Sequence, residues 1–173
     1  MSNGFKIDLE TERLRLRNVV ASDKEFLISL WQDPVVTQFM GGPRSSEMME
    51  EELGNQLSDP FAYEYDLWPV IEKTTGSPIG HCGILEKEVE GKNEYEVTYV
   101  LSPSYWGRGY ATEIASELIR YAFEEKGLNR IIALIKPGNA ASAQVAKRIG
   151  MHKEKSVIRG EGIVMDLFIR ELM

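Results

Sequence analysis

The chain has 173 residues, of which 43% are hydrophobic and 27% charged, a composition that suits one globular domain, residues 1–173, with an adequate core. A formal net charge of −7 argues against nucleic acid and anionic membranes as partners, because phosphate binding needs clustered Lys and Arg. The lone cysteine, Cys82, excludes an intrachain disulfide; with no apolar run near the roughly 18 residues of a membrane span and no signal-peptide core in the opening stretch, a cytoplasmic protein is expected, as a monomer or homodimer.

In chain order, "ERLRLRNV" alternates Arg13, Arg15 and Arg17 with Leu14 and Leu16, the period of a strand with one apolar face. "SDKEFLISLWQDP" reads as a helix with Ser22 as cap and Glu25 as its reciprocal partner, closed by Pro34. A weaker helix is expected near Glu47–Leu57. Three strands follow, near Tyr63–Glu72, Pro78–Glu86 and Glu94–Leu101, separated by the turn stretches "TTGSP" and "EGKN". After them come a helix that starts near Tyr110, the continuous apolar strand Arg130–Lys136, a helix over Asn139–Ile149, and two strands flanking "RGEG" at Arg159–Gly162. The strand–helix–strand passage implies one parallel pairing inside a mostly antiparallel sheet, an α/β fold of α+β type with about four helices.

The stretch "PSYWGRGYATEIASELIRYAF" places Gly107 and Gly109 against the first turn of an amphipathic helix. Glycine permits positive φ and close backbone approach, and a helix N-terminus offers unpaired N–H groups and partial positive charge. Together they make a seat for phosphate; a purely steric strand-to-helix turn is the alternative. A dinucleotide loop would need Gly at Thr112, and a P-loop would need Gly-Lys-Ser/Thr, which the chain lacks. His81 and Cys82 are adjacent on a strand and so point to opposite faces, which disfavours a dyad. With His152 they make too few ligands for a zinc site, and no metal is expected.

"WGRGYATE" resembles the acetyl-CoA loop of the GNAT acetyltransferase superfamily, Gln/Arg-x-x-Gly-x-Gly/Ala, with Trp106 at the first position and Gly109 and Ala111 at the small-residue positions. The aromatic variant is similar to the branch of ribosomal-protein N-terminal acetyltransferases, whose preceding strand resembles Glu-x-Gly-Tyr; here "EVTY", Glu96 to Tyr99, carries Thr98 for the glycine. "NAASAQVAKRIGM", Asn139 to Met151, resembles the superfamily's coenzyme helix, and "ETERLRLR" the branch's first strand. The resemblance implies a sheet splayed at its one parallel strand pair. It also implies acetyl transfer from acetyl-CoA to an amine acceptor, a protein N-terminus or a small amine, by direct attack in a ternary complex.

The resemblance also implies site residues. The amides of Gly107, Arg108, Gly109, Tyr110, Ala111 and Thr112 would hold the pyrophosphate beside Trp106. Thr112 would add its hydroxyl, and Arg108 would either touch a phosphate or stay solvated. A backbone N–H near Val100 or Leu101 would face the carbonyl oxygen, and Asn139 would contact the coenzyme. Glu96 is the base candidate, with Glu94 or water as competitors. Many relatives carry a tyrosine acid where this chain has Ala146. Ser142 would assist the leaving thiolate or merely open the helix. The absent tyrosine keeps a second reading in play, a non-catalytic acyl-CoA-binding module of the same fold.

Overall fold

The computed structural model describes residues 4–173, so the first residues of the opening stretch lie outside the described part. One eight-stranded sheet has the order β1-β2-β3-β4-β5-β6-β8-β7. Its strands are β1 (Asp8–Glu10), β2 (Leu14–Arg17), β3 (Leu67–Glu72), β4 (Pro78–Val89), β5 (Lys92–Leu101), β6 (Arg130–Ile135), β7 (His152–Arg159) and β8 (Ile163–Glu171). Among the described residues only β5 and β6 pair in parallel, and they do so through a single register pair, Glu96 with Ile132. By contrast β6 and β8 pair along the whole of β6. The strands β5 and β6 therefore part company beyond Glu96, as the resemblance implied.

Among the described residues four helices flank the sheet: α1 (Lys24–Gln32), α2 (Ser46–Ser58), α3 (Tyr110–Arg120), which ends in a π-helical turn, and α4 (Ala140–Arg148). α3 presents Ile114, Ala115, Leu118 and Ile119 to one face of the sheet, where they join Cys82, Ile84, Val97, Leu101 and Ile131 in the main core. α1 and α2 cover part of the other face and pack Leu27, Leu30, Trp31, Met49 and Leu53 around Val100. Farther along that face Val89, Ile132, Val157, Leu167 and Ile169 form a third cluster. Glu96 shares its face with Val100 and Ile132 and sits between the two clusters.

Three local expectations need correction. The strand expected from Tyr63 begins only at Leu67. β1 was not anticipated, and pairs antiparallel with β2. Ser22 does not cap α1, because the neighbouring carboxylate competes better: Asp23 is buried, binds the Arg17 guanidinium through both oxygens (2.8 and 3.1 Å) and accepts the Val20 N–H at 2.9 Å. The chain enters α1 through a 3-10 turn, Ala21–Asp23, instead. At α2 the cap is Ser45, whose Oγ accepts the Met48 N–H. Of the run Met48–Glu52, Met49 anchors the core while the others are exposed.

His81 and Cys82 do face opposite sides. The Cys82 thiol lies in the main core, and burial pushes it up to about 12. His81 faces α1, where its Nδ1 accepts the Trp31 indole N–H at 2.9 Å. Its Nε2 has only the Leu67 carbonyl nearby and makes no hydrogen bond of good geometry. Burial lowers the imidazole from 6.5 to about 4. The unfolded chain then takes up a proton below about 6.5, while the folded chain resists until about 4, so stability is lost as pH falls through that window. The loss attributable to His81 is on the order of 3 kcal/mol. Denaturant titrations of the wild type and His81→Gln at several pH values isolate it, since the carboxylates titrate alike in both. Parallel pH profiles would contradict a neutral, buried His81.

Candidate active site

Past the Glu96–Ile132 pair no further register pair joins β5 to β6. Ser102 N–H donates to the Ile79 carbonyl at 2.8 Å, and the antiparallel ladder with β4 pairs Val100 with His81 and Thr98 with Gly83. Ladder direction alternates along a strand, so the Val100 N–H serves β4 while those of Tyr99 and Leu101 point toward β6, past the last parallel pair. Of the two oxyanion candidates, Leu101 is the one whose N–H faces the gap. The Leu101 carbonyl accepts the Trp106 indole N–H at 2.8 Å, which ties the end of β5 to the glycine loop. Trp106 is otherwise half exposed.

Glu96 lies on the α1–α2 face, partly buried. Burial raises its carboxyl above the ordinary range, while Lys87, the Thr98 hydroxyl and Arg159 pull the other way without cancelling it. Thr98, where the resembled strand has glycine, donates its hydroxyl to Glu96 Oε1 at 3.0 Å and fixes the rotamer. Glu94 is buried on the same face, but Arg130 Nε grips both its oxygens at 3.2 and 3.1 Å, and Arg130 also binds Glu154 and Glu171. Glu94 is thus a member of an ion-pair cluster at the far end of β5, away from the gap.

The glycine loop has the conformation its sequence demands. Gly107 has φ of +73° and Gly109 of +79°, the left-handed region where a Cβ is strained. Gly109 is the N-cap of α3 and brings no side chain to it, so the first-turn N–H groups, including those of Ala111 and Thr112, have no side-chain cap. Glu113, placed to cap the turn, is turned away. Its carboxylate accepts the Thr11 hydroxyl at 2.7 Å, the Arg13 N–H at 2.9 Å and Arg13 Nε at 2.7 Å. Burial works against its charge, and these donors outweigh it and hold the carboxyl below its ordinary range. Arg13 also donates to the Arg108 carbonyl at 2.9 Å and lies 4.2 Å from the Tyr110 ring centroid. The Tyr110 side chain is buried, with its hydroxyl on Glu72, so only its backbone belongs to the loop. Arg108 stacks over Tyr105 at 5.3 Å. Arg13, in the bend just ahead of β2, was not anticipated as a brace; it lies almost a hundred positions upstream of the loop, with no local signal connecting them.

Asn139 caps α4, its Oδ1 accepting the Ser142 N–H at 3.2 Å. That engages its carbonyl and leaves its amide N–H group outside the cap. Ser142 Oγ donates to the Tyr99 hydroxyl at 3.2 Å, and Tyr99 donates to the Ser142 carbonyl at 2.8 Å. Ala146 is fully buried in the main core, so a tyrosine there would overpack it. Among the described residues no three His, Cys, Asp or Glu side chains are grouped to hold a metal ion, and no helix is long and apolar enough to cross a membrane.

A profile of the acetyltransferase (GNAT) domain matches residues 13–152. The chain is 35% identical to the Bacillus subtilis protein YkkB over 88% of this chain and 89% of that one. It is 29% identical to the Bacillus licheniformis N-acetyltransferase p20, over 95% of each chain. Among solved structures, a GNAT-family acetyltransferase from Bacillus anthracis superposes with a TM-score of 0.79 at 26% identity, covering 96% of this chain and 98% of that one.

Proposed function

The chain belongs to the GNAT acetyltransferase family, and on that premise we propose that it transfers acetyl from acetyl-CoA to a primary amine, a protein N-terminus or a small amine, by direct attack in a ternary complex. The observation that carries this reading is the gap itself. β5 turns the N–H groups of Tyr99 and Leu101 toward it, with a carboxylate at Glu96 on one face and a pair of hydroxyls at Tyr99 and Ser142 on the other.

In this reading the uncapped N-terminus of α3 and the loop from Gly107 to Thr112 hold the pyrophosphate. The Arg13–Glu113 pair keeps that loop in shape before the ligand arrives. The pantetheine arm runs along the β6 side of β5, with Asn139 at its edge. The acetyl carbonyl then lies in the gap with the Leu101 N–H as oxyanion donor. The acceptor approaches from the Glu96 face. An α-amine has a reference pKa of about 8 and a lysine of about 10.4, so the attacking nitrogen must shed a proton. Glu96, raised by burial, is a better-matched base at neutral pH than an ordinary carboxylate. The nitrogen–carbon bond forms, the carbon–sulfur bond breaks, and the electron pair leaves on sulfur.

Incubation with isotopically labelled acetyl-CoA and a pool of peptides and amines, followed by mass spectrometry with thiol detection, tests the proposal. Labelled N-acetyl product with stoichiometric thiol is expected. CoA binding without acetylation of any amine would instead favour a binding module.

A further inference from the structure

With Ala146 in the buried core, α4 carries no phenol there to receive the coenzyme sulfur. Ser142 alone is a weak answer, since an aliphatic hydroxyl is a poor acid. We propose that Tyr99, reaching α4 from strand β5, is the hydroxyl that with Ser142 hydrogen-bonds the departing thiolate. The inference rests on the acetyl-transfer reading above and names a further residue for it.

The geometry carries the argument. Tyr99 and Glu96 are an odd number of positions apart on an extended strand, so their side chains leave opposite faces. The backbone between them is the segment that parts from β6. A thioester held in that gap is approached by the acceptor amine from the Glu96 face, and its sulfur leaves toward the α3–α4 face, where Tyr99 stands. At rest the Tyr99 proton is on the Ser142 carbonyl, and the hydroxyl accepts from Ser142 Oγ. That carbonyl lies in the first turn of α4 and already serves the helix. Tyr99 can therefore turn its proton to a developing thiolate without orphaning a buried acceptor, while the Ser142 hydroxyl continues to donate to the phenol oxygen and polarises it.

Chemistry limits what the pair does. Burial, the largest influence, pushes the Tyr99 hydroxyl up to about 12, against the hydrogen bond from Ser142. A thiol has a reference pKa near 8.5, so full proton transfer from Tyr99 to the thiolate is uphill. Tyr99 thus donates a hydrogen bond and keeps its proton. The amine proton goes to Glu96 and on to solvent, and the thiolate is protonated from solvent on release. A hydrogen bond to a charged partner supplies enough to change turnover by on the order of tenfold to a hundredfold.

Tyr99→Phe keeps the ring and removes the donor. The expected result is a fall in kcat of that size with the KM for acetyl-CoA within a few-fold. Ser142→Ala, which leaves the Tyr99 proton in place, should cost less. A second readout does not depend on turnover: the thiolate absorbance of CoA bound to each protein, titrated with pH. Loss of a donor to the sulfur should raise the bound thiol's pKa by about one unit in Tyr99→Phe. If both proteins bind CoA, and thiol pKa and kcat are the same in both, the inference is overturned and Tyr99 is only a strut between β5 and α4. If no amine is acetylated but the thiol shift appears, the transfer reading falls while the sulfur contact stands. Failure of the wild type to bind CoA would overturn both.

Discussion

Glu96→Gln is expected to lower kcat at neutral pH by roughly a hundredfold to ten thousandfold, the range of a positioned general base, with CoA affinity nearly unchanged. The carboxylate lies between the two clusters on the open face, at the last parallel pair with β6. Glutamine preserves shape and the bond from Thr98 but cannot accept a proton. The deficit should shrink as pH rises, because the acceptor then supplies its own neutral amine. Thr98 offers a finer control. Its hydroxyl stabilises the charged carboxylate, so Thr98→Val should raise the Glu96 pKa further and shift the acid limb of kcat upward. Steady-state kinetics across pH on the three proteins check both. A fully active Glu96→Gln enzyme at neutral pH would leave water as the base, because Glu94 is held by Arg130.

The elements that could be read from sequence are those whose physics is local. Gly107 and Gly109 were legible because a positive φ before a helix nearly requires glycine. β6 was legible because burial on both faces removes alternation from "RIIALI". The parallel pair followed from the order of strand and helix. What stayed hidden depends on partners distant in the chain. Glu94 and Glu96 are indistinguishable on a strand of period two, and only Arg130, brought alongside by the sheet, separates an ion-paired carboxylate from one that accepts the Thr98 hydroxyl. Arg13 reads as the polar side of a strand, yet in the fold it braces the loop through Glu113 and the Arg108 carbonyl. Tyr99 reads as one more aromatic until α4 puts Ser142 against its hydroxyl. The misplaced cap at Ser22 has the same origin. A local capping pattern loses to Asp23 because Arg17, on β2, gives that buried carboxylate a partner that Ser22 cannot match.

Gly109→Val is expected to weaken CoA binding by at least about a hundredfold, and two routes lead there. If the valine stays at φ near +79°, the backbone carries a left-handed cost of about 1–2 kcal/mol, and more for a β-branched side chain. Its methyls would also crowd Arg13, whose Nη2 lies 3.5 Å from the Cβ position and whose guanidinium is committed to Glu113 and the Arg108 carbonyl. If the backbone relaxes instead, the first-turn N–H groups of α3 swing off the pyrophosphate, each losing a charge-assisted hydrogen bond of about 1.5–3 kcal/mol. Alanine separates the contributions, because its Cβ makes only ordinary contact with Arg13 and suffers the φ strain alone. The expected order of affinity is therefore Gly109, then Gly109→Ala, then Gly109→Val. Calorimetric titration with CoA and with pantetheine, which lacks the pyrophosphate, completes the test. The substitutions should erode affinity for CoA and leave that for pantetheine nearly constant, with melting curves confirming that each variant is folded. A folded Gly109→Val protein that binds CoA as tightly as the wild type would mean that the two glycines serve only the turn, and that the phosphate seat lies elsewhere.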